Sequence, residues 1–395
     1  MIYKLSIHEL IALEKKYHLW EYKLFKYPLW IHCREPLLNT GIMIDRKINR
    51  PTVFGMVKSF LLTMKFLITQ KKYAKIFFLM EREELLEIYK IEKNKKKILF
   101  LNNEQEKIYD GEDYISSDFF NLLRYISRKI SFIIFYKRYQ TIIHDLKKIH
   151  KDLDVDKYIK IAMGDALFLK FLSLILTKKN EKIYTGSVIP MGEKFINCLH
   201  SYEVQHGVIH QSHTGYIGIP KVNNTLILYD NRYEKLLLDK GYQGKLTVQQ
   251  YKKTFFEKQT NRYYPVVIYT QPILKMQEEI NRLLKHYTTL EVYIQKHPKD
   301  YFNYDIDNKY FITATTPFEV GYPIMYVSSI IENFTLYNKD CYIYDLKYGA
   351  LKVEDILEIY MQSSTSRLII DENLNHILHI IEKKESTKIN KREQK

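Results

Sequence analysis

Short apolar runs alternate with helix-length stretches along this chain, stop at a polar segment, and start again near residue 264; this pattern most limits the fold. The runs at 75–79, 97–101, 182–186 and 225–229 have strand length. The stretches 118–149 and 155–178 repeat apolar residues every three and four positions, as helices do. A further helix is expected over 10–24, which contains Trp20, and another over 232–240, closed by Gly241. Segment 247–263 has no apolar period and reads as a linker. Beyond it come strands at 266–269, 291–295, 310–312, 324–327, 341–344 and 367–370, with a helix at 272–287. Strands of four to six residues separated by helices form α/β units, whose parallel sheets are covered on both faces. The expected architecture is therefore α/β with two Rossmann-like domains facing across a cleft. The first spans 1–250 with helical N-terminal additions and the second spans 251–381. The stretch 382–395, with six basic and three acidic residues, reads as a mobile charged tail.

Composition narrows the class. Hydrophobic residues make up 46% of the 395 positions, which excludes a disordered chain. The 13 Gly and 10 Pro are too few for a collagen-like or linker-rich one. Three scattered cysteines, Cys33, Cys198 and Cys341, form neither a disulfide framework nor a zinc pattern, so a reducing compartment is expected. The opening Met1 to Lys4 lacks the pattern of a secretory signal, and no run reaches the ~18–20 apolar residues of a membrane span. The nearest, 54–69, carries Lys58 and Lys65 beside Phe60, Leu61, Met64, Phe66, Leu67 and Ile68. It reads either as a buried helix edged by lysines or as an amphipathic helix lying on lipid. The net charge of +15 admits nucleic acid, anionic lipid, or a codon bias toward Lys, Ile, Tyr and Asn. No recognisable recognition module accompanies it, so nucleic acid is not the expected partner.

Three polar constellations follow expected strands. The first runs from Tyr202 to Tyr216 and contains Glu203, Gln205, His206, Gly207, His210 and His213. Gly207 permits a tight turn or close ligand approach, and Glu203 or His206 has the chemistry of a general base. His206, His210 and His213 also have helical spacing, but no Glu follows His206 as in the zinc-protease signature, so no metal is expected. The second is Gln295-Lys296-His297-Pro298-Lys299-Asp300, in which Pro298 holds His297 extended at a strand end. The third is Ser328-Ser329, where a strand ends and a helix begins. Serine there is a helix cap in one reading and an anion ligand in the other.

Carboxylate/His-Gly, then His-Pro, then Ser-Ser, in that order over 200–333, resembles the bacterial sialyltransferases and the related Kdo transferases of surface-polysaccharide synthesis. The resemblance implies a GT-B fold and a glycosyltransferase using a CMP-activated sugar, without metal or other cofactor. It implies Glu203 or His206 as base, His297 on the phosphate as acid or electrostatic stabiliser, and Pro298, Ser328, Ser329 and Lys296 around the nucleotide. Gln205, Gly207, His210, His213 and Tyr216 would line the acceptor side. The chain departs from the acidic pair of that family: Gln205-His206-Gly207 is closer to the His-Gly of CDP-glycerol-dependent glycerophosphotransferases. The expected partners are a nucleotide sugar, a glycan or glycolipid acceptor and the cytoplasmic face of the inner membrane. A non-enzymatic basic protein bound to membrane or nucleic acid is the alternative that the charge alone would allow.

Overall fold

The computed structural model describes residues 5–37, 75–78, 83–92, 98–101, 113–115, 117–149, 155–175, 182–186 and 200–249 (without 206 and 212). It also describes 263–286, 290–307 (without 298 and 299), 310–312, 319–347 (without 327, 329, 337 and 338), 367–393, and the helical positions 54, 57, 60, 61, 64, 353 and 357. The protein is α/β, with two compact units that change over at Lys253–Thr254.

Unit 1 opens with α1 (Ile7–Lys16), whose start is a capping box: Glu9 N–H donates to Ser6 Oγ, and Ser6 N–H to Glu9 Oε2. A hairpin of β1 (Lys23–Leu24) and β2 (Tyr27–Pro28) and helix α2 (Ile31–Leu37) follow. The sheet is then built from β3 (Lys75–Phe78), α3 (Glu83–Glu92), β4 (Ile98–Leu101) and β5 (Asp113–Ile115). Three helices intervene: α4 (Ser117–Ile134), α5 (Tyr136–Ile149) and α6 (Asp156–Ile175). The remaining elements are β6 (Lys182–Gly186), β7 (His200–Val204), β8 (Thr225–Leu228), α7 (Asn231–Asp239) and β9 (Lys245–Val248). The strands lie parallel in the order β5-β4-β3-β6-β7-β8-β9. Numbered along the sheet that is 3-2-1-4-5-6-7, a doubly wound order with its reversal between β3 and β6. Leu85, Ile88 and Tyr89 of α3 bury against Tyr184, Val204 and Ile227 of the sheet. Gly164 lets α4 lie close on α6, since a Cβ there would stand 2.2 Å from Arg128 Cγ.

Unit 2 contains β10 (Tyr264–Tyr269), α8 (Leu274–Leu284), β11 (Val292–Gln295), β12 (Val320–Met325), α9 (Ile330–Leu336), β13 (Cys341–Tyr344), β14 (Leu368–Asp371) and α10 (Leu374–Glu393). Its strands are parallel in the order β11-β10-β12-β13-β14, which is 2-1-3-4-5. The order reverses at β10, so the crevice for a ligand lies between the carboxyl ends of β10 and β12. Val266, Val267, Ile268, Ile294, Ile324 and Ile343 are almost wholly buried, as strands covered on both faces must be.

Several expectations are corrected. The helix expected over 10–24 ends at Lys16, because the chain turns into a hairpin whose tip, Phe25 and Lys26, takes positive φ. The segment expected as one helix over 118–149 is two, broken at Phe135. The stretch assigned to the linker from 247 begins inside β9, an edge strand with alternate exposed positions that hides its apolar signal. Residues 310–312 contribute one bridge, Ile294 to Phe311, instead of a strand. The charged stretch from Glu382 is no separate tail: α10 runs on through Glu393, anchored where Tyr322 OH donates to Glu385 and Lys384 Nζ to Tyr342 OH, both at 2.7 Å.

Candidate functional site

In unit 1 the first constellation leaves the carboxyl end of β7. Gln205 N–H still donates to Ile227 O at 2.9 Å, and the chain then turns at Gly207 with φ of 72°. Gln205 is fully buried and spends its amide on the turn: Nε2 donates to Gly207 O at 2.8 Å, and Oε1 accepts from Tyr229 N–H at 3.4 Å. It therefore shapes the loop from beneath, where acceptor contact was expected. Glu203 is buried as well. Its carboxylate accepts from Tyr216 OH at 2.6 Å and from Asn224 Nδ2 at 2.9 Å, and all three residues are buried. Burial, with this carboxylate nearby, pushes the Tyr242 phenol far above its usual range. Glu203 thus pins the far end of the loop to its own strand.

Between these anchors the loop presents its imidazoles. His213 Nδ1 accepts from Gly215 N–H at 3.1 Å, which places the proton of the neutral ring on Nε2. The rings of His210, His213 and Tyr216 follow one another at 5.4 and 4.6 Å. The described residues from Gly207 to Gly218 form turns and no helix, so His210 and His213 do not share a helix face. Among the described residues no three His, Cys, Asp or Glu side chains gather as a metal site requires. His206 itself lies outside the described residues.

The N-terminal helices brace this loop, a role that no local pattern announces. Glu14 of α1 accepts from Trp30 Nε1 at 2.8 Å and from Arg34 Nε at 2.7 Å. Arg34 in turn donates to Thr214 O. Burial pushes the Glu14 carboxyl up and the Arg34 guanidinium down, and each draws the other part of the way back.

In unit 2 the register aligns Tyr269 of β10 with Gln295 of β11 and with Met325 of β12. Their next residues, Thr270, Lys296 and Tyr326, form one edge of the sheet, and His297 and Ser328 stand just beyond it on either side of β10. Strands are spaced about 4.8 Å, so the ends of β11 and β12 that carry the two motifs lie about 10 Å apart, with β10 between them. A small cluster joins Asp300 of the second constellation to Thr270 and Tyr304, which lie outside the three constellations, and holds the His297 side. Asp300 is buried and accepts from Thr270 Oγ1, from Tyr304 OH at 2.8 Å and from Phe302 N–H at 3.0 Å. His297 N–H donates to Thr270 Oγ1 at 3.4 Å, and its carbonyl accepts from Asp300 N–H at 2.7 Å. Lys296 turns back to donate to Phe302 O at 2.6 Å, so it braces the same loop. Across the crevice, Ser328 Oγ accepts from Ile330 N–H at 3.3 Å at the head of α9. Pro298 and Ser329 lie outside the described residues. The signal that could have marked the cluster is the polar pair Thr270-Gln271 directly after a strand, matched by Asp300 after the next.

The fold thus defines a protein with two doubly wound α/β units, each presenting polar loops at the carboxyl ends of its strands. Comparison with protein-family models and with curated proteins finds no match.

Proposed function

We propose that the protein is a GT-B-type transferase that takes its donor from a cytidine nucleotide, with unit 2 binding the nucleotide and unit 1 serving the acceptor. The observation that carries this reading is the placement of His297 and Ser328 on the two sides of the β10 reversal. The donor is a CMP-activated sugar of sialic acid or Kdo type, and the acceptor is a glycan or glycolipid of a bacterial surface polymer. In that reaction the bond from the anomeric carbon to the phosphate oxygen breaks and CMP departs with growing negative charge. His297, the Ser328 and Ser329 hydroxyls and nearby N–H groups stabilise that charge more than the ground state. A base in unit 1 takes the acceptor proton.

One observation favours a second donor. Glu203 is buried beneath Tyr216 and Asn224, so of the two expected bases, Glu203 and His206, the reading favours His206 to take the proton. A His-Gly base is the feature resembling CDP-glycerol-dependent glycerophosphotransferases. That reaction breaks the diphosphate instead, and CMP again departs, so the same phosphate-binding residues serve either donor.

The test is thermal shift with CMP, CDP, UMP and single-stranded RNA, followed by CMP release from a CMP-sugar and from CDP-glycerol. A ligand of the native state raises the midpoint. His297→Ala with Ser328→Ala and Ser329→Ala should weaken cytidine-nucleotide binding by roughly ten- to a hundredfold, at about 1.5–3 kcal/mol per charge-assisted bond. Unchanged affinity in the folded triple variant, or stabilisation by RNA alone, refutes the reading. The same reading places the enzyme at the cytoplasmic membrane surface, where a lipid-linked acceptor resides. No helix among the described residues is long and apolar enough to cross a membrane. Within 54–69, the described helical positions Phe54, Val57, Phe60, Leu61 and Met64 are all exposed, which supports a surface helix over a buried one.

A further inference from the structure

Helix α4 is turned inside out. Its inward face carries Ser127 and Ser131, both fully buried, and Arg128, which forms a two-pronged ion pair with the buried Asp165 of α6 at 3.0 and 3.1 Å. Its outward face carries Ile126, Ile130, Ile133 and Ile134, spaced at four, three and one, which is a single stripe on a helix. All four are exposed, Ile133 to 77% and Ile134 to 61%. A helix that hides serines and shows isoleucines to water is stable only where something covers the isoleucines.

The stripe continues beyond the helix. At its C-terminal end the Phe25 ring, on the β1–β2 hairpin tip, meets Phe135 edge-on at 5.6 Å and stays half exposed. Arg138 of α5 donates to Lys23 O and holds the hairpin there. Exposed Tyr136 extends the apolar surface. The rim is basic: Lys23, Lys26, Lys129, Lys137 and Arg138 are all exposed. From Phe119 to His144 the sequence contains no Asp or Glu at all.

We propose that this face of unit 1, Phe25 with the α4 isoleucine stripe, docks on an anionic lipid bilayer. The charge decides the occupant. Two copies joined through the face would bring two basic rims together on a chain that already carries +15, whereas anionic headgroups complement the rim as the isoleucines enter the acyl boundary. This surface is built from other residues than the 54–69 segment. It rests on the membrane location proposed above and is independent of which donor the enzyme uses.

The experiment is co-sedimentation of the full chain with phosphatidylcholine vesicles and with vesicles containing phosphatidylserine, at low and high salt. Light scattering after gel filtration runs alongside. Wild type should pellet with anionic vesicles at low salt and release at high salt. Ile130→Asp with Ile133→Asp should cut the pelleted fraction at least tenfold, and Lys129→Glu with Lys137→Glu should do so at low salt. Both pairs are exposed, so circular dichroism and the nucleotide-induced thermal shift should match wild type; Ile133→Ser is the milder variant if they do not. Phe60→Asp with Leu61→Asp separates the two surfaces. If that variant loses binding while the α4 variants keep it, the α4 face is refuted and the membrane location stands. If wild type ignores anionic vesicles, both fall. A dimer that the α4 variants dissociate also overturns the proposal.

Discussion

Arg34 donates a hydrogen bond to the carbonyl oxygen of Thr214, 180 residues further along the chain. Through it, a buried ion pair of the N-terminal helices holds the turn that follows β7. Glu14 and Arg34 are almost wholly excluded from water, and the carboxylate also accepts from the indole N–H groups of Trp30 and Trp20. Gly218 sits against the same brace, where a Cβ would come within 2.6 Å of Ile11.

Removing one partner should cost more than the pair contributes. Arg34→Ala leaves the Glu14 carboxylate buried beside neutral indole donors alone, Trp30 and Trp20, and such a loss typically costs about 3–5 kcal/mol. Urea unfolding should show that drop. Near-ultraviolet circular dichroism should show a loosened 210–218 loop, through Tyr216. A double replacement by apolar residues of matching volume should be milder than either single change. A single variant as stable as wild type would mean that the pair is not the brace described.

Asp300 should behave as a positioning residue for the unit 2 crevice. Asp300→Ala removes the acceptor shared by the Thr270 and Tyr304 hydroxyls and the Phe302 N–H; the two hydroxyls still reach each other, and a group left buried without a partner costs about 1–3 kcal/mol. The expected result is a clear loss of stability and a cytidine-nucleotide affinity lower by roughly tenfold or more. Asp300→Asn keeps an acceptor oxygen and should restore part of both. Because Asp300 holds the loop, under the proposed function its variants should raise KM for the donor more than they lower kcat. An equal fall in kcat would assign it a direct role.

High pH offers a test of the unit 1 sheet. Burial, with Tyr202 stacked on it at 5.1 Å, pushes the Tyr184 phenol up to about 12 from its usual 10.0. Between those values the folded chain holds a proton that the unfolded chain has lost, so stability falls as pH rises. The contribution is fully present below 10.0 and is lost as pH climbs through about 12. Tyr344 is pushed up to about 12 as well, so Tyr184→Phe should reduce the alkaline slope of stability without flattening it. An unchanged slope in that variant would show that Tyr184 titrates as an ordinary surface phenol.

How far the sequence revealed these features depends on how local their causes are. The strands β6, β8, β10 and β13 are apolar runs bounded by polar residues, and buried parallel strands leave that signature directly. β9 escaped because an edge strand needs only one covered side, and Lys245 and Thr247 are exposed. The His297 and Ser328 motifs were legible as strand-end polar groups, but the order of strands that sets them on either side of β10 arises from pairings far apart in sequence. Glu203 and Gln205 were legible as polar residues at a turn; their burial was not, because Tyr216, Asn224 and Tyr229 that enclose them arrive from later segments. The inverted α4 gives a regular helical period whichever face turns inward. Only Asp165, more than 30 residues away, fixes Arg128 and the serines on the inner side.

The base can be assigned by separating charge from shape at two positions. Glu203→Gln keeps an oxygen for the Tyr216 hydroxyl. The Asn224 amide, whose Oδ1 has no partner among the described residues, can rotate to accept from the new amide N–H. The loop should therefore keep its shape. If Glu203 is an anchor, as its burial and two hydrogen bonds indicate, the variant should release CMP at nearly the wild-type rate, while Glu203→Ala should lose stability by about 1–3 kcal/mol per orphaned group. His206→Ala should do the reverse, folding normally and losing transfer by the 10²–10⁴-fold typical of a missing general base. The measurement is CMP release from donor and acceptor as a function of pH. Wild type and Glu203→Gln should share the limb that falls on acidification, because protonating the imidazole removes the base, and His206→Ala should lack it. If Glu203→Gln instead abolishes turnover with an unchanged melting temperature, the buried carboxylate is the base, and the loop must open to expose it during the reaction.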